Sequence, residues 1–315
     1  MEEPVEVIKT NKPILLLLWL IKFMPLFFTR LLVYPVSFFF WCFGMGARKN
    51  CRNYQTKLKS FTGGKSPLII STYRQIFNFS LCVVEKIEGW VGKKNFSSII
   101  IKDDCQALID HLNTGKGAFI IASHLGNMEL MRSLTSIDEM GCKRKVGVTI
   151  LMEIGATSNF NSTLKKINPN AMADVIDTNS ISPQTIIDLE DRIAQGNLVV
   201  ITGDRFSANS SGQKLIKDFL GVPAAFPYGS FFMATLLGAP VYFMFGMRAK
   251  SSTAFAKNYE LYVEKSQTPL EVPRNKRKEA IENLSGEYIG HLQNFTSKYP
   301  YQWYNFGDFW KFGEN

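Results

Sequence analysis

The sequence predicts an α/β fold, a mixed and largely parallel sheet flanked by helices, preceded by N-terminal membrane-anchoring helices. Two observations carry this expectation. From about residue 96, short apolar runs alternate with amphipathic segments, the rhythm of strands connected by crossover helices. Before that, Pro13–Gly46 is almost continuously apolar, broken only by Lys22 and Arg30. A chain of 315 residues accommodates one α/β domain plus such an appendage.

Within the apolar stretch the longest uncharged run, Leu31–Gly46, has 16 residues. A straight span needs roughly 20, so a kinked helix pair lying in one leaflet fits as well as a crossing. Pro25 and Pro35 are expected to bend it, with Lys22 and Arg30 snorkelling to the surface. Glu2, Glu3 and Glu6 spoil the basic start of a cleaved leader, and no small-residue cleavage site follows. Residues 1–60 hold nine of the chain's Lys and Arg against three Glu, and so carry most of the net charge of +9. Arg48, Lys49 and Arg52 directly follow the apolar run and place that side in the cytoplasm. Such a basic excess suits an anionic membrane surface or an acidic protein partner better than nucleic acid. Five scattered cysteines without Cys-x-x-Cys argue for a reducing compartment, and the three His do not lie at metal-ligand spacing.

Residues 47–92 read as two helices around the turn Thr62-Gly63-Gly64. Strands are then expected at Ser98–Ile101, Ala118–Ala122, Val146–Leu151, Val175–Ile176, Leu198–Thr202, Pro240–Gly246 and Tyr259–Val263. Helices are expected at Cys105–Leu112, Met128–Leu134, Phe160–Ile167, Ile186–Ala194 and Lys276–Phe295. No internal repeat is present.

The segment Gly117–Glu129 carries the chemistry. A buried-strand pattern ends at Ser123-His124, then Gly126-Asn127 and a helical stretch follow. A histidine where a strand's carboxyl end meets a helix sits where open α/β sheets bind ligands, and imidazole serves as a general base near neutral pH. Glu129, about one turn into the helix, is placed to reach one ring nitrogen and hold its tautomer. Gly126 relieves the crowded turn, and the amides that open the helix are candidates for binding an oxyanion. A histidine that merely caps a helix beside an incidental Glu explains the same residues. Ser123 lacks the Gly-x-Ser-x-Gly frame of a nucleophile elbow. Asp204 and Arg205 follow a strand, where a loop meets a headgroup or a carrier's phosphate; a surface Asp-Arg pair reads the same way. Arg248, at a strand end, carries the same ambiguity. Gln302-Trp303 reads as core and capping.

His124-x-x-x-x-Glu129 resembles the His-x-x-x-x-Asp/Glu motif of the lysophospholipid acyltransferase superfamily. Gly203-Asp204-Arg205 behind its apolar strand resembles that superfamily's Asp block. Phe219-Leu-Gly221, Phe226-Pro227-Tyr-Gly229 and Gly238-Ala239-Pro240-Val241 resemble a stretch of the lipid A biosynthesis acyltransferase-like family. Tyr299-Pro-Tyr-Gln302-Trp303 resembles that family's Pro-x-Gln-Trp block. The similarity runs in order through most of the chain. Where the lipid A enzymes continue with a basic run, this chain has Asn305-Phe-Gly-Asp308-Phe-Trp310, an ending similar to a branch associated with aryl polyene or other specialised lipids.

The resemblance implies a glycerol-phosphate-acyltransferase-like fold, with residues 1–46 as anchor and 47–315 as acyltransferase domain. It implies an acyl carrier protein or coenzyme A thioester as donor, a lipid acceptor, and catalysis by His124 and Glu129. Gly126, Asn127, Asp204, Arg205, Phe226, Pro227 and Arg248 are the candidate substrate-binding residues. The basic chain favours acidic carrier protein as donor. No metal or redox cofactor is expected, and the location implied is the cytoplasmic face of a bacterial inner membrane. A membrane-anchored lipid-binding protein without turnover, and a hydrolase using water as acceptor, are the alternative readings.

Overall fold

A computed structural model describes residues 23–64, 69–90, 98–103, 105–127, 142–153, 175–206, 213–255 and 258–311. Among the described residues three N-terminal helices come first: α1 (Leu26–Phe43), α2 (Met45–Phe61) and α3 (Ile69–Trp90). The α/β body follows as β1 (Ser98–Asp103), α4 (Cys105–Asn113), β2 (Ala118–Gly126), β3 (Val148–Met152), β4 (Val175–Asp177), α5 (Pro183–Ala194) and β5 (Leu198–Thr202). It ends with β6 (Lys214–Phe219), β7 (Val222–Pro227), α6 (Tyr228–Leu237), β8 (Val241–Arg248), β9 (Asn258–Lys265) and α7 (Arg277–Lys298). The helices expected at 128–134 and 160–167 lie outside the described residues, as do Lys22 and Glu129.

Among the described residues seven strands form one sheet, in the order β1-β9-β8-β2-β5-β3-β4. Only the β8–β9 pairing is antiparallel; the other five are parallel, so the sheet is mixed and largely parallel. The central strand β2 begins Ala118–Ala122, all buried, as a strand covered on both faces requires. Phe119 and Ile121 pack with residues of α5, α6 and α7 on one face, while Ala118, Ile120 and Ala122 meet α4 on the other. The alternation of β2 thus sorts its side chains between two cores. A separate hairpin, β6–β7, turns through Leu220-Gly221, both at positive φ (56° and 77°). The sequence reading left this hairpin out.

Helix α1 differs from expectation in two ways. It starts after Pro25 and runs through Pro35; the sharp bend, 90°, comes instead at Gly44, between α1 and α2. A Cβ at Gly44 would lie 2.5 Å from the carbonyl oxygen of Phe40, so the break needs a residue without one. Arg30, expected to snorkel, points inward and is 2% exposed. It pairs with Glu88 at 2.9 Å and with Glu85 at 3.9 Å. Arg248 at the end of β8 also holds Glu85, at 2.9 Å, and the Tyr259 hydroxyl donates to Glu85. Burial pushes the Glu85 carboxyl above its usual range, while Arg248, Tyr259 and Arg30 draw it back. Two guanidinium and two carboxylate groups thus share one buried cluster between α1, α3 and the end of β8.

Along its length α1 lies against α3. Beyond the Arg30–Glu88 pair, Tyr34 packs on Phe77 at 4.7 Å, and Trp41 Nε1 donates to Thr72 Oγ1 at 2.9 Å. Elsewhere α1 exposes Phe27, Leu31, Phe38, Phe39, Phe40 and Phe43, each by 49–70%. No single described helix is long and apolar enough to cross a membrane; the α1–α2 pair passes that test only together and bent.

Arg30→Met removes the guanidinium paired with Glu88 at 2.9 Å, and loss of one partner from a buried pair costs about 3 kcal/mol. Denaturant unfolding in detergent is expected to show this loss. The double variant Arg30→Met/Glu88→Met is expected to recover most of it, because two apolar side chains carry no uncompensated charge.

Candidate active site

Strands β2 and β5 run in parallel with Ala122 opposite Thr202. Two residues further along each chain stand His124 and Asp204, at the carboxyl edge of the sheet. This edge is where open α/β sheets leave a crevice for ligands. Strand β2 continues to Gly126, two residues past His124, and the helix expected to follow lies outside the described residues.

The carboxylate of Asp204 is completely buried and collects donors from two directions. His124 approaches it twice. Its backbone N–H donates to Oδ2 at 2.8 Å and to Oδ1 at 3.1 Å, and its ring Nδ1 lies 2.8 Å from Oδ1. From the C-terminal segment, Trp303 Nε1 donates to Oδ2 at 2.9 Å. This satisfies a charge that would be prohibitively costly to bury alone. The Nδ1 contact fixes the imidazole tautomer and leaves Nε2 as the nitrogen able to exchange a proton. The His124 side chain keeps 24% of its surface exposed, against none for Asp204. An accessible imidazole on a buried carboxylate is the arrangement of a general base and its positioning group.

The neighbourhood is built to hold this pair. Gly203 N–H donates to the Ala122 carbonyl at 2.9 Å, and the same oxygen accepts from the Tyr288 hydroxyl at 2.9 Å. A Cβ at Gly203 would sit 2.9 Å from the Tyr288 ring, so glycine is what admits the tyrosine. Burial raises the Tyr288 hydroxyl well above its ordinary pKa, and the Asp204 carboxylate raises it further, so it stays a neutral donor. Ser230 Oγ donates to the Thr202 carbonyl at 2.7 Å and ties α6 to the end of β5.

The C-terminal segment crosses the end of β2. Gly126 N–H donates to the Gln302 carbonyl at 2.8 Å, and Tyr304 N–H donates to the His124 carbonyl at 2.9 Å. The Gln302 side chain accepts from Arg248 N–H and donates to the Arg248 carbonyl, both at 2.8 Å. Trp303 is fully buried among Tyr54, Phe219, Phe309 and Trp310.

Several expected site residues take other roles. Asp204, expected where a loop meets a headgroup, is the buried partner of His124. The Gly126 and Asn127 amides are occupied, by the Gln302 carbonyl and by the Gly246 carbonyl at 2.7 Å, while the amides that open the helix expected at 128–134 lie outside the described residues. Leu125 N–H donates to Ser123 Oγ at 3.0 Å, and Ser123 is buried, which suits a turn and not a nucleophile. Arg248 is committed to Glu85. Phe226 lies in the core against Phe219 and Phe309, and Pro227 precedes α6. Arg205 is exposed beside Asp204. Glu129 lies outside the described residues. Trp303 is the residue sequence reasoning passed over: it was read as core, which it is, but its indole also serves the carboxylate. Among the described residues no cluster of His, Cys, Asp and Glu is arranged for a metal ion. A scan against protein-family models gives no match, and a search of curated proteins gives none either.

Gly126 has φ of 80°, and a Cβ there would overlap the Gly246 carbonyl oxygen. Gly126→Ala is therefore expected to lower stability by about 2 kcal/mol or more, through strain at positive φ and a forced separation of β2 from β8. Unfolding by urea checks this. Trp303→Phe keeps the ring packing and removes one donor from Asp204, with an expected loss of about 1–3 kcal/mol in the same measurement.

Proposed function

We propose that this chain is an acyltransferase working at a membrane surface. It would move a fatty acyl group from a carrier thioester to a hydroxyl or amine of a lipid-like acceptor. The observation that carries the reading is the accessible imidazole of His124 held through Nδ1 by the buried Asp204. Its support is the ordered resemblance of the His124, Asp204, Phe226 and Gln302 segments to the lipid A biosynthesis acyltransferase-like family, on a sheet of the mixed, largely parallel kind which that resemblance implies.

In the proposed step the acceptor's O–H or N–H gives its proton to His124 Nε2 as its oxygen or nitrogen attacks the thioester carbonyl carbon. The C–S bond then breaks, and the leaving thiolate recovers the proton from the imidazolium. Acyl carrier protein or coenzyme A departs as the thiol, and the acceptor leaves as ester or amide. Asp204 stabilises the imidazolium between the two transfers. The exposed Arg205 is the nearest cation in sequence and is assigned to the carbonyl oxygen as charge develops there. Glu129 is kept as a candidate second carboxylate; with Nδ1 taken, its role is to be decided by mutation.

The location proposed is the cytoplasmic face of a bacterial inner membrane. The exposed aromatic side of α1, followed by Arg48, Lys49 and Arg52 on α2, supports it. In this reading the exposed aromatic residues of α1 enter one leaflet while its bonds to α3 hold the helix to the protein body.

His124→Ala is expected to lower the transfer rate by about two to four orders of magnitude with the fold intact. Asp204→Asn should come close to that loss, since an amide cannot stabilise imidazolium charge. Transfer of labelled acyl groups from carrier protein and from coenzyme A to membrane lipid extracts is the assay. Near-normal turnover by His124→Ala would falsify the assignment. Glu129→Gln at full activity would confine that residue to structure.

A further inference from the structure

The turn that leaves β8 is built in an unusual way. Two buried arginines hold its backbone carbonyls: Arg248 Nη2 donates to the Thr253 oxygen at 2.5 Å, and Arg30 Nη1 donates to that of Ala254. Both arginines belong to the buried cluster with Glu85 and Glu88, so the turn is fastened from inside. What it presents outward is Phe255, which is 47% exposed. The Phe255 ring stacks on Phe27 of α1 at 5.2 Å and 23°, 228 residues away in the chain. A buried polar framework thus spends two arginines to aim an apolar ring at solvent, beside a helix whose outer side is already aromatic.

We infer that Phe255 is a second membrane contact, entering the same leaflet beside Phe27. The inference rests on the reading of α1 as the membrane anchor and extends it to a part of the chain that composition gives no reason to suspect. The occupant of the patch is the acyl-chain region of a bilayer with anionic headgroups. Lys49 and Arg52 are exposed just past the end of α1, and Arg48 sits 5.6 Å over the Trp41 ring, so cations and an indole border the apolar side where headgroups would meet it. Contiguous exposed apolar surface on this scale marks an interaction site.

The position has a functional consequence. Strands β2 and β8 are parallel, with Gly126 opposite Gly246, so the turn after Arg248 lies at the same end of the sheet as His124. A second contact there holds the His124 edge against the bilayer, which delivers a lipid acceptor to the site without its leaving the membrane.

Flotation of the full-length protein with vesicles of phosphatidylcholine and phosphatidylglycerol tests this. Phe255→Asp is expected to weaken vesicle binding roughly tenfold, the scale set by losing one buried aromatic contact. Phe255→Trp should bind as the parent does, and Ile216→Asp, an exposed site on the β6–β7 hairpin, should have no effect. Phe39→Asp on α1 is the reference for the anchor itself. Unchanged binding of Phe255→Asp with weakened Phe39→Asp overturns the proposal and leaves the anchor standing. Unchanged binding in both overturns the anchor as well. If Phe255→Asp instead breaks a dimer seen by light scattering without vesicles, and flotation is unaffected, the patch is a subunit interface and the proposal fails.

Discussion

The buried carboxylate of Asp204 is the constraint around which this end of the molecule is organised. A buried carboxylate without solvent must find its donors in protein, and here they come from two distant parts of the chain. His124 gives two, which requires β2 and β5 to lie in the register that sets Ala122 against Thr202. Trp303 gives a third, which requires the C-terminal segment to cross the strand ends. The indole can reach only from inside an aromatic cluster, and that cluster draws Tyr54 from α2 and Phe219 from the β6–β7 hairpin. One charge thereby links strand register, hairpin, N-terminal helices and C-terminus.

The C-terminal segment transmits this constraint to the N-terminal helices. Gln75 on α3 donates to the Trp303 carbonyl at 2.7 Å, and Gln55 on α2 to that of Pro300 at 2.9 Å. Asn50 donates to the Phe306 carbonyl at 2.8 Å. These are side-chain amides satisfying the carbonyls of an irregular segment that has no sheet partner for most of its length. Nearer the C-terminal end of α3, Glu85 and Glu88 take the arginines of β8 and α1. Helix α3 therefore stands between two polar systems, one holding the His124–Asp204 pair through the C-terminal segment and one fixing the apolar helix.

Much of the sheet was readable because buried parallel strands are continuous apolar runs. Ala118–Ala122, Leu198–Thr202 and Val241–Gly246 announce themselves. The β6–β7 hairpin did not, since Lys214–Phe219 mixes charge with apolar residues and Val222–Pro227 carries prolines at both ends. The site was legible by half. His124 is marked by its own strand, but Asp204 is 80 residues away, and only the register of two parallel strands makes it the partner. Register leaves no local trace in a sequence. Arg30 was misjudged for a related reason: an arginine in an apolar run reads as snorkelling, and the glutamates that bury it lie on another helix. Pro25 and Pro35 suggest the bend, yet α1 begins after the first and runs through the second, whereas Gly44 removes the side chain that would collide with the Phe40 carbonyl.

The Gly44 bend also explains how so apolar a helix and so basic a helix can be neighbours. A straight continuation would carry the charges of Arg48, Lys49 and Arg52 along the axis of α1, into whatever covers its aromatic side. Turning the chain by 90° at one residue instead sends α2 back over the protein body, where Tyr54, Gln55 and Leu58 are buried. The charged side of α2 is left at the rim of the apolar surface. The hydrophobic burial of α2 against the Trp303 cluster and the polar seam between α1 and α3 then fix both helices independently. The boundary between apolar and cationic surface is therefore set by packing within the protein and does not depend on a bilayer to create it.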